Sequence, residues 1–175
     1  VNAVDNSTGF LEISAADCKV INCDFHEGVA VYADVMILTV AGADRLEIAD
    51  CNFIGLAADG AVSFIEVDES DDLHIHDCSI YGNCDTGMIQ FITGASARAR
   101  IHHCTLWNAD DTGGAGNVQM ILDTITTSTG IMGPGLMMVG IVNAANITES
   151  VTGATFNMVG RNWVNNAVNE QGMLQ

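Results

Sequence analysis

The sequence predicts an all-β chain folded as a right-handed parallel β-helix, or solenoid, with coils of 26–28 residues and a C-terminal capping segment. Three observations predict it. A cysteine-centred unit recurs four times at steps of 28, 27 and 26 residues. The apolar residues within each unit alternate with period two, which is the strand period and not the helical one. The composition is 49% hydrophobic but only 6% aromatic, and aliphatic residues of this kind fill a narrow, repetitive core.

The four units are Val20-Ile21-Asn22-Cys23-Asp24-Phe25, Ile48-Ala49-Asp50-Cys51-Asn52-Phe53, Ile75-His76-Asp77-Cys78-Ser79-Ile80 and Ile101-His102-His103-Cys104-Thr105-Leu106. Upstream, Cys18, Leu46, Leu73 and Ala99 add one more apolar position to each. Downstream, after a Gly or Asp turn, a second alternating run follows at 30–40, 61–67, 88–93 and 118–123. Each coil is therefore two or three short strands joined by turns. A propeller blade needs about 40 residues or more, and the leucine-rich and hexapeptide patterns are absent. A parallel β-helix remains, with identical positions stacked about 4.8 Å apart and five or six coils rising about 25–30 Å.

At the ends the repeat loosens. Phe10, Leu11 and Ile13 match the end of a unit, so the chain enters in mid-coil. Ile131 to Leu136 aligns with Ile101 to Leu106, which sets Pro134 in the place of the cysteine at a step of 30. The division expected is 1–136 for the coils and 137–175 for a capping or oligomerisation segment, because the last coil of a solenoid exposes an open sheet edge.

Cys23, Cys51, Cys78 and Cys104 share one ladder position, where free cysteine serves as a small apolar residue. Cys84 is expected in the turn Tyr81-Gly82-Asn83-Cys84. No pair of Cys-x-x-Cys motifs supports zinc. Asn22, Asp50, Asp77 and His103 precede the ladder cysteines and are expected to stabilise the bend there. On the outward face Lys19, Glu47, His74 and Arg100 stack, as do His76 and His102. Those two histidines, with Asp77 and His103 nearby, could ligate a divalent metal, but adjacent residues on a strand point to opposite faces and only the two stacked histidines share one, so a solvated polar face is expected instead. The acidic runs Asp68-Glu69-Ser70-Asp71-Asp72 and Asp110-Asp111 read as solvated turns, since no calcium-loop spacing is present.

With 22 acidic residues against 5 basic ones and a net charge of −17, the chain repels phosphate backbones and anionic lipid. Neither nucleic acid nor membrane is an expected partner. No apolar run approaches the roughly 18 residues of a membrane span. The opening Val1-Asn2-Ala3-Val4-Asp5 shows no charged leader followed by an apolar stretch, so no signal peptide is read from it. The missing initiator Met fits processing or an upstream segment.

The φ-x-φ-x-x-Cys-x-φ units, with turns such as Ala43-Asp44-Arg45-Leu46 and Ser70-Asp71-Asp72-Leu73, resemble β-helix structural proteins encoded among the virion genes of tailed bacteriophages and prophages. The stretch from Gly160 to Leu174 looks like the ending of those proteins, departing from it at Trp163, around Asn166 and at Met173. The resemblance spans nearly the whole chain. It implies a virion component on the capsid surface, a decoration or cement protein that associates as a homotrimer and contacts the major capsid protein. It carries over no catalytic, cofactor-binding or metal-binding residue.

The expected function is accordingly structural and non-enzymatic. Two alternatives stand beside it, a tail-associated receptor-binding fibre and a tailspike-like polysaccharide-processing protein. A glycosidase needs two carboxylates about 5–9.5 Å apart across a cleft, for which Asp110 with Asp111, or Glu47 with Asp50, are the candidates. The apolar, Met-rich stretch from Met132 to Val142 reads as core or as a face for a partner.

Overall fold

In a computed structural model, described here for residues 9–27, 34–55, 61–82, 84–108, 119–124, 127–140, 151–152, 155–166 and 172–174, the chain is a parallel β-helix of three sheets. Sheet A stacks β1 (Leu11–Ile13), β4 (Val35–Thr39), β7 (Ala61–Val67), β10 (Cys84–Phe91), β13 (Gln119–Asp123) and β16 (Val151–Thr152). Sheet B stacks β2 (Lys19–Ile21), β5 (Glu47–Ala49), β8 (His74–His76), β11 (Ala99–His102), β14 (Thr129–Met132) and β17 (Thr155–Met158). Sheet C stacks β3 (Asp24–His26), β6 (Asn52–Gly55), β9 (Ser79–Gly82), β12 (Thr105–Asn108), β15 (Met137–Gly140) and β18 (Asn162–Asn166). The final strand, β19 (Gly172–Leu174), pairs antiparallel with β18. Every other pairing among the described residues is parallel, so the expected solenoid is what the chain forms.

The core is built from in-register ladders. Val20, Ile48, Ile75, Ile101 and Met132 form one on sheet B. Phe25, Phe53, Ile80, Leu106 and Met138 form its counterpart on sheet C, where the Phe25 and Phe53 rings stack with centroids 4.9 Å apart. Ile37, Ile65, Ile89 and Ile121 line sheet A. These sheet A residues, with Phe53, Ile48, Ile75 and Ile80, are fully buried. Each such side chain contributes about 1.5–3 kcal/mol relative to exposure.

Two corners are made the same way in successive coils, by one residue in the left-handed backbone region. Between sheets B and C these are Asn22, Asp50, Asp77, His103 and Gly135, with φ of 56°, 52°, 53°, 51° and 76°. Between sheets A and B they are Asp17, Arg45, Asp72 and Arg98, with φ of 60°, 56°, 57° and 61°. Single left-handed residues are costly for most side chains, and Asn, Asp and Gly bear them best. The corners remain hydrogen-bonded. The Asn22, Asp50, Asp77 and His103 amides donate to Ala49, His76, His102 and Pro134 at 3.0, 3.3, 3.3 and 2.9 Å.

The cysteine ladder packs into the core just past this corner. Cys51, Cys78 and Cys104 are buried, Cys23 is half-buried, and no disulfide joins the six cysteines. Each thiol donates to the carbonyl two residues back, from Cys51 to Ala49 at 3.1 Å and from Cys78 to His76 at 3.2 Å. Burial pushes the Cys51 thiol up to about 11. The contact with Cys104, together with burial, pushes Cys78 up as well.

Two positions differ from expectation. Cys84 is not in a turn: it opens β10 and is buried, because only residue 83 separates β9 from β10. Pro134 does not take the cysteine position. Ile101 pairs with Met132 and Thr105 with Met137, so Leu136 stands where Cys104 does and is buried, while Ile131 is exposed. The corner holds one more residue here, and Pro134, which cannot donate a backbone hydrogen bond, takes the extra place and leaves Gly135 to adopt the left-handed turn. Beyond residue 136 the sequence repeat fades but the ladders continue through β15, β16, β17 and β18. The Met132–Val142 stretch is largely core: Met132, Leu136 and Met138 are buried, Met137 is exposed, and residues 141 and 142 lie outside the described set.

Two outcomes check this architecture. A thiol reagent applied to the native protein labels Cys18 and Cys23 and spares Cys51, Cys78, Cys84 and Cys104 until denaturant is added, as mass spectrometry of the labelled peptides will read. Asp50→Val, which forces a β-branched residue into a left-handed corner, lowers stability by about 1–3 kcal/mol, whereas Asp50→Gly is close to neutral in the same denaturation experiment.

Candidate functional site

Most of the polar groups that repeat along the coils serve the stack itself. Asp17 and Arg45 pair through two hydrogen bonds of 2.6 and 2.8 Å, and Asp72 and Arg98 through two of 2.7 and 2.8 Å. Acid and base thus alternate along one corner ladder. The hydrogen bond to Arg45 lowers the Asp17 pKa, and that to Arg98 lowers the Asp72 pKa. These pairs are exposed, so solvent screens them.

The acidic run at 68–72 lies in the turn after β7, as expected, but it does more than meet solvent. Asp68 accepts from the Gly94 amide at 3.0 Å, Asp71 from Ala97 at 2.8 Å, and Asp44 from the Asp71 amide at 3.0 Å. Within the run Ser70 is fully buried. Its hydroxyl donates to the Ala43 carbonyl at 2.5 Å, its amide donates to Ser96 Oγ at 2.9 Å, and the Ser96 amide donates to Ser128 Oγ at 3.3 Å. The signal was present in the sequence, since Ser70 and Ser96 each stand three residues before Leu73 and Ala99. On sheet A, Ser63, Thr86 and Gln90 form a closed hydroxyl–amide network at 2.8–3.0 Å.

One buried polar group stands apart. Glu27 is 3% exposed, and among the described residues neither carboxyl oxygen has a hydrogen-bond partner of proper geometry. Burial pushes it up to about 7, with partial opposition from the Ala61 backbone. A cavity of about 330 Å³ at the first coil, lined by Phe10, Leu11, Cys23, Asp24, Phe25 and His26, is the uncovered end of the core among the described residues.

The outer face of sheet B carries the cluster with chemical potential. Lys19, Glu47, His74 and Arg100 stack in register, and His76 stacks on His102, as the repeat predicts. The two ladders are not separate, because residues i and i+2 of a strand share a face. His74 and His76 therefore stand side by side, with ring centroids 4.2 Å apart, and His102 completes a triangle at 4.8 and 5.2 Å. His74 Nε2 lies 2.6 Å from His102 Nε2, and His76 Nε2 lies 3.2 Å from Glu47 Oε1. Lys19 pairs with the other oxygen, Glu47 Oε2.

The expectation that Asp77 and His103 face away from their neighbours fails for a local reason. Both are the left-handed corner residues, where strand alternation ends. Asp77 turns back to His76 Nδ1 at 2.7 Å, and His103 Nδ1 reaches His102 Nδ1 at 2.7 Å. Burial opposes protonation of His76, but the hydrogen bonds to Asp77 and Glu47 outweigh it and raise its pKa. Burial, and then the neighbouring histidines, lower His74; burial, His103 and His76 lower His102. The hydrogen bonds of Lys19 and His76 lower Glu47. Imidazole nitrogens and a carboxylate thus converge on the surface of three adjacent coils, and Glu47, His74 and His76 offer ligand atoms within 4.8 Å of one another.

Of the carboxylate pairs considered for hydrolysis, Glu47 sits on this sheet B face while Asp50 is the exposed corner residue, with no cleft between them among the described residues. Asp110 and Asp111 lie outside the described residues. The fold and site define a three-sided parallel β-solenoid with a histidine–carboxylate cluster on one outer face. Comparison with protein-family models, with curated proteins and with solved structures yields no match.

Glu27 gives a pH signature with a definite sign. Its pKa is raised on folding, so the carboxyl costs nothing below its ordinary value of 4.5, stability is lost as pH rises from there to about 7, and the full penalty persists above. Glu27→Gln removes that penalty. Denaturant titrations at about pH 8 will show the variant gaining up to about 3 kcal/mol over the parent, with a smaller gain at about pH 5.

Proposed function

We propose that the protein is a non-enzymatic virion structural protein, a capsid-bound decoration protein of a tailed phage that acts as a homotrimer and binds the major capsid protein. The observation that carries this reading is an apolar ladder on the outer face of sheet C, half-buried at its ends and exposed at its two central aromatic residues. Ile54, Tyr81, Trp107 and Val139 follow one another in register across four coils. Tyr81 is 40% and Trp107 38% exposed, and their rings meet edge to face at 5.7 Å. Two adjacent exposed aromatic residues in such a row, flanked on the same face by the uncharged Asn52, Ser79, Thr105 and Met137, suit burial against another protein.

The rest of the molecule supports a structural role. Ladders of buried aliphatic residues, corner ion pairs and inter-coil carboxylate bonds give a stiff post whose flat sides suit lateral contact, and a net charge of −17 keeps such posts apart until they meet a partner.

The test is a mass measurement by light scattering joined to imaging of particles. The expected results are a mass near three times 18.4 kDa, dissociation of that species by Tyr81→Asp with Trp107→Asp, and density at three-fold or quasi-three-fold positions of the capsid. A monomer at every concentration, a position at the tail tip, or release of reducing sugar from host envelope polysaccharide overturns the reading. Saturable polysaccharide binding lost in Trp107→Ala turns the same ladder into a receptor-binding face.

A further inference from the structure

We propose that Glu47, His74, His76 and His102 form a binding site for a divalent first-row transition metal, bracing three successive coils on the outer face of sheet B. The ligand set is the first argument. Imidazole nitrogen with one carboxylate oxygen suits Zn²⁺, Ni²⁺, Co²⁺ or Cu²⁺, and not Ca²⁺ or Mg²⁺, which need oxygen shells. Glu47 comes from β5, His74 and His76 from β8, and His102 from β11, so the set is held by parallel hydrogen-bonded strands and needs no loop to order it.

The second argument is the way the rings are held. Asp77 engages His76 Nδ1 at 2.7 Å, which fixes a proton on that nitrogen and aims Nε2 at Glu47 Oε1, 3.2 Å away, so that a cation entering between them displaces the Nε2 proton that hydrogen-bonds the pair. A carboxylate behind a histidine in this manner is the usual outer support of a metal ligand. Lys19 occupies Glu47 Oε2 and leaves Oε1 to the site. His74 and His102 bring their Nε2 atoms to 2.6 Å, a separation that one shared proton bridges. A cation takes that proton's place, both nitrogens move apart to ligand distance, and the displaced proton passes by way of solvent to the Nδ1 of the ring that had carried it. The side chains are partly exposed, at 25% for Glu47 and 17% for His76, so an ion has access without unfolding.

Binding only to the folded stack, the ion raises its stability. The experiment adds Zn²⁺, Ni²⁺ or Co²⁺ to the chelator-treated full chain and follows stoichiometry by calorimetry and the thermal midpoint by circular dichroism. The expected result is one equivalent bound per chain and a higher midpoint. His74→Gln with His76→Gln abolishes the bound equivalent, Asp77→Asn weakens affinity by about 10- to 100-fold, and His26→Gln on β3 changes neither. In the unaltered protein, paramagnetic Ni²⁺ or Co²⁺ broadens the ring-proton resonances of His74, His76 and His102 and spares His26, a reading that does not depend on any variant folding. Failure of all three ions to bind, or binding that survives the double substitution and broadens every histidine equally, overturns the site.

Discussion

The left-handed corner residue between sheets B and C is the constraint on which the rest of this structure depends. One residue at φ near 50° in each of four coils turns the strand through the corner without breaking the inter-coil hydrogen bonds. It sets the following cysteine into the core and brings the next strand onto sheet C in register. Asn22, Asp50 and Asp77 suit that conformation, and His103 adopts it because the ladder below it already dictates the path. Where an extra residue enters, Gly135 takes over the turn.

The same corner shapes the chemistry of the outer face. A regular strand would send Asp77 away from His76. The left-handed turn swings it back, and the carboxylate becomes a support for the imidazole. The cluster of Glu47, His74, His76 and His102 thus arises from two periodicities, the pleat that places i and i+2 on one face and the coil repeat that stacks one pair above another. Sheet C uses the same two periodicities to line up Ile54, Tyr81, Trp107 and Val139, and there they produce an apolar row instead. The metal site rests on the first face and the proposed assembly role on the second, so one can fail without the other.

The acidity of the chain also has a structural share. Asp44, Asp68 and Asp71 accept backbone amides of neighbouring coils, and Asp17 and Asp72 pair with arginine. Asp44, Asp68 and Asp71 thereby cap amides at the bends, where the strand ladder alone leaves donors to be satisfied. Glu27, a buried acid, has among the described residues only the partial compensation of the Ala61 backbone.

The sequence by itself determined the fold class, the coil length, the stacking of Cys23, Cys51, Cys78 and Cys104, and the register of Lys19, Glu47, His74 and Arg100. In a solenoid each of these follows from repetition, because residues one period apart are neighbours in space. Only the tertiary structure decided what the repeat does not encode. The shift that sets Met132 and Leu136 in the core depends on which apolar residue fills the space and where a proline can be accommodated. The burial of Ser70 within an acidic run and of Cys84 at a strand start depends on where the chain bends. The meeting of His74 with His102, and of Asp77 with His76, depends on backbone angles at a corner, since side-chain direction there is set by φ and not by the alternation that sequence displays.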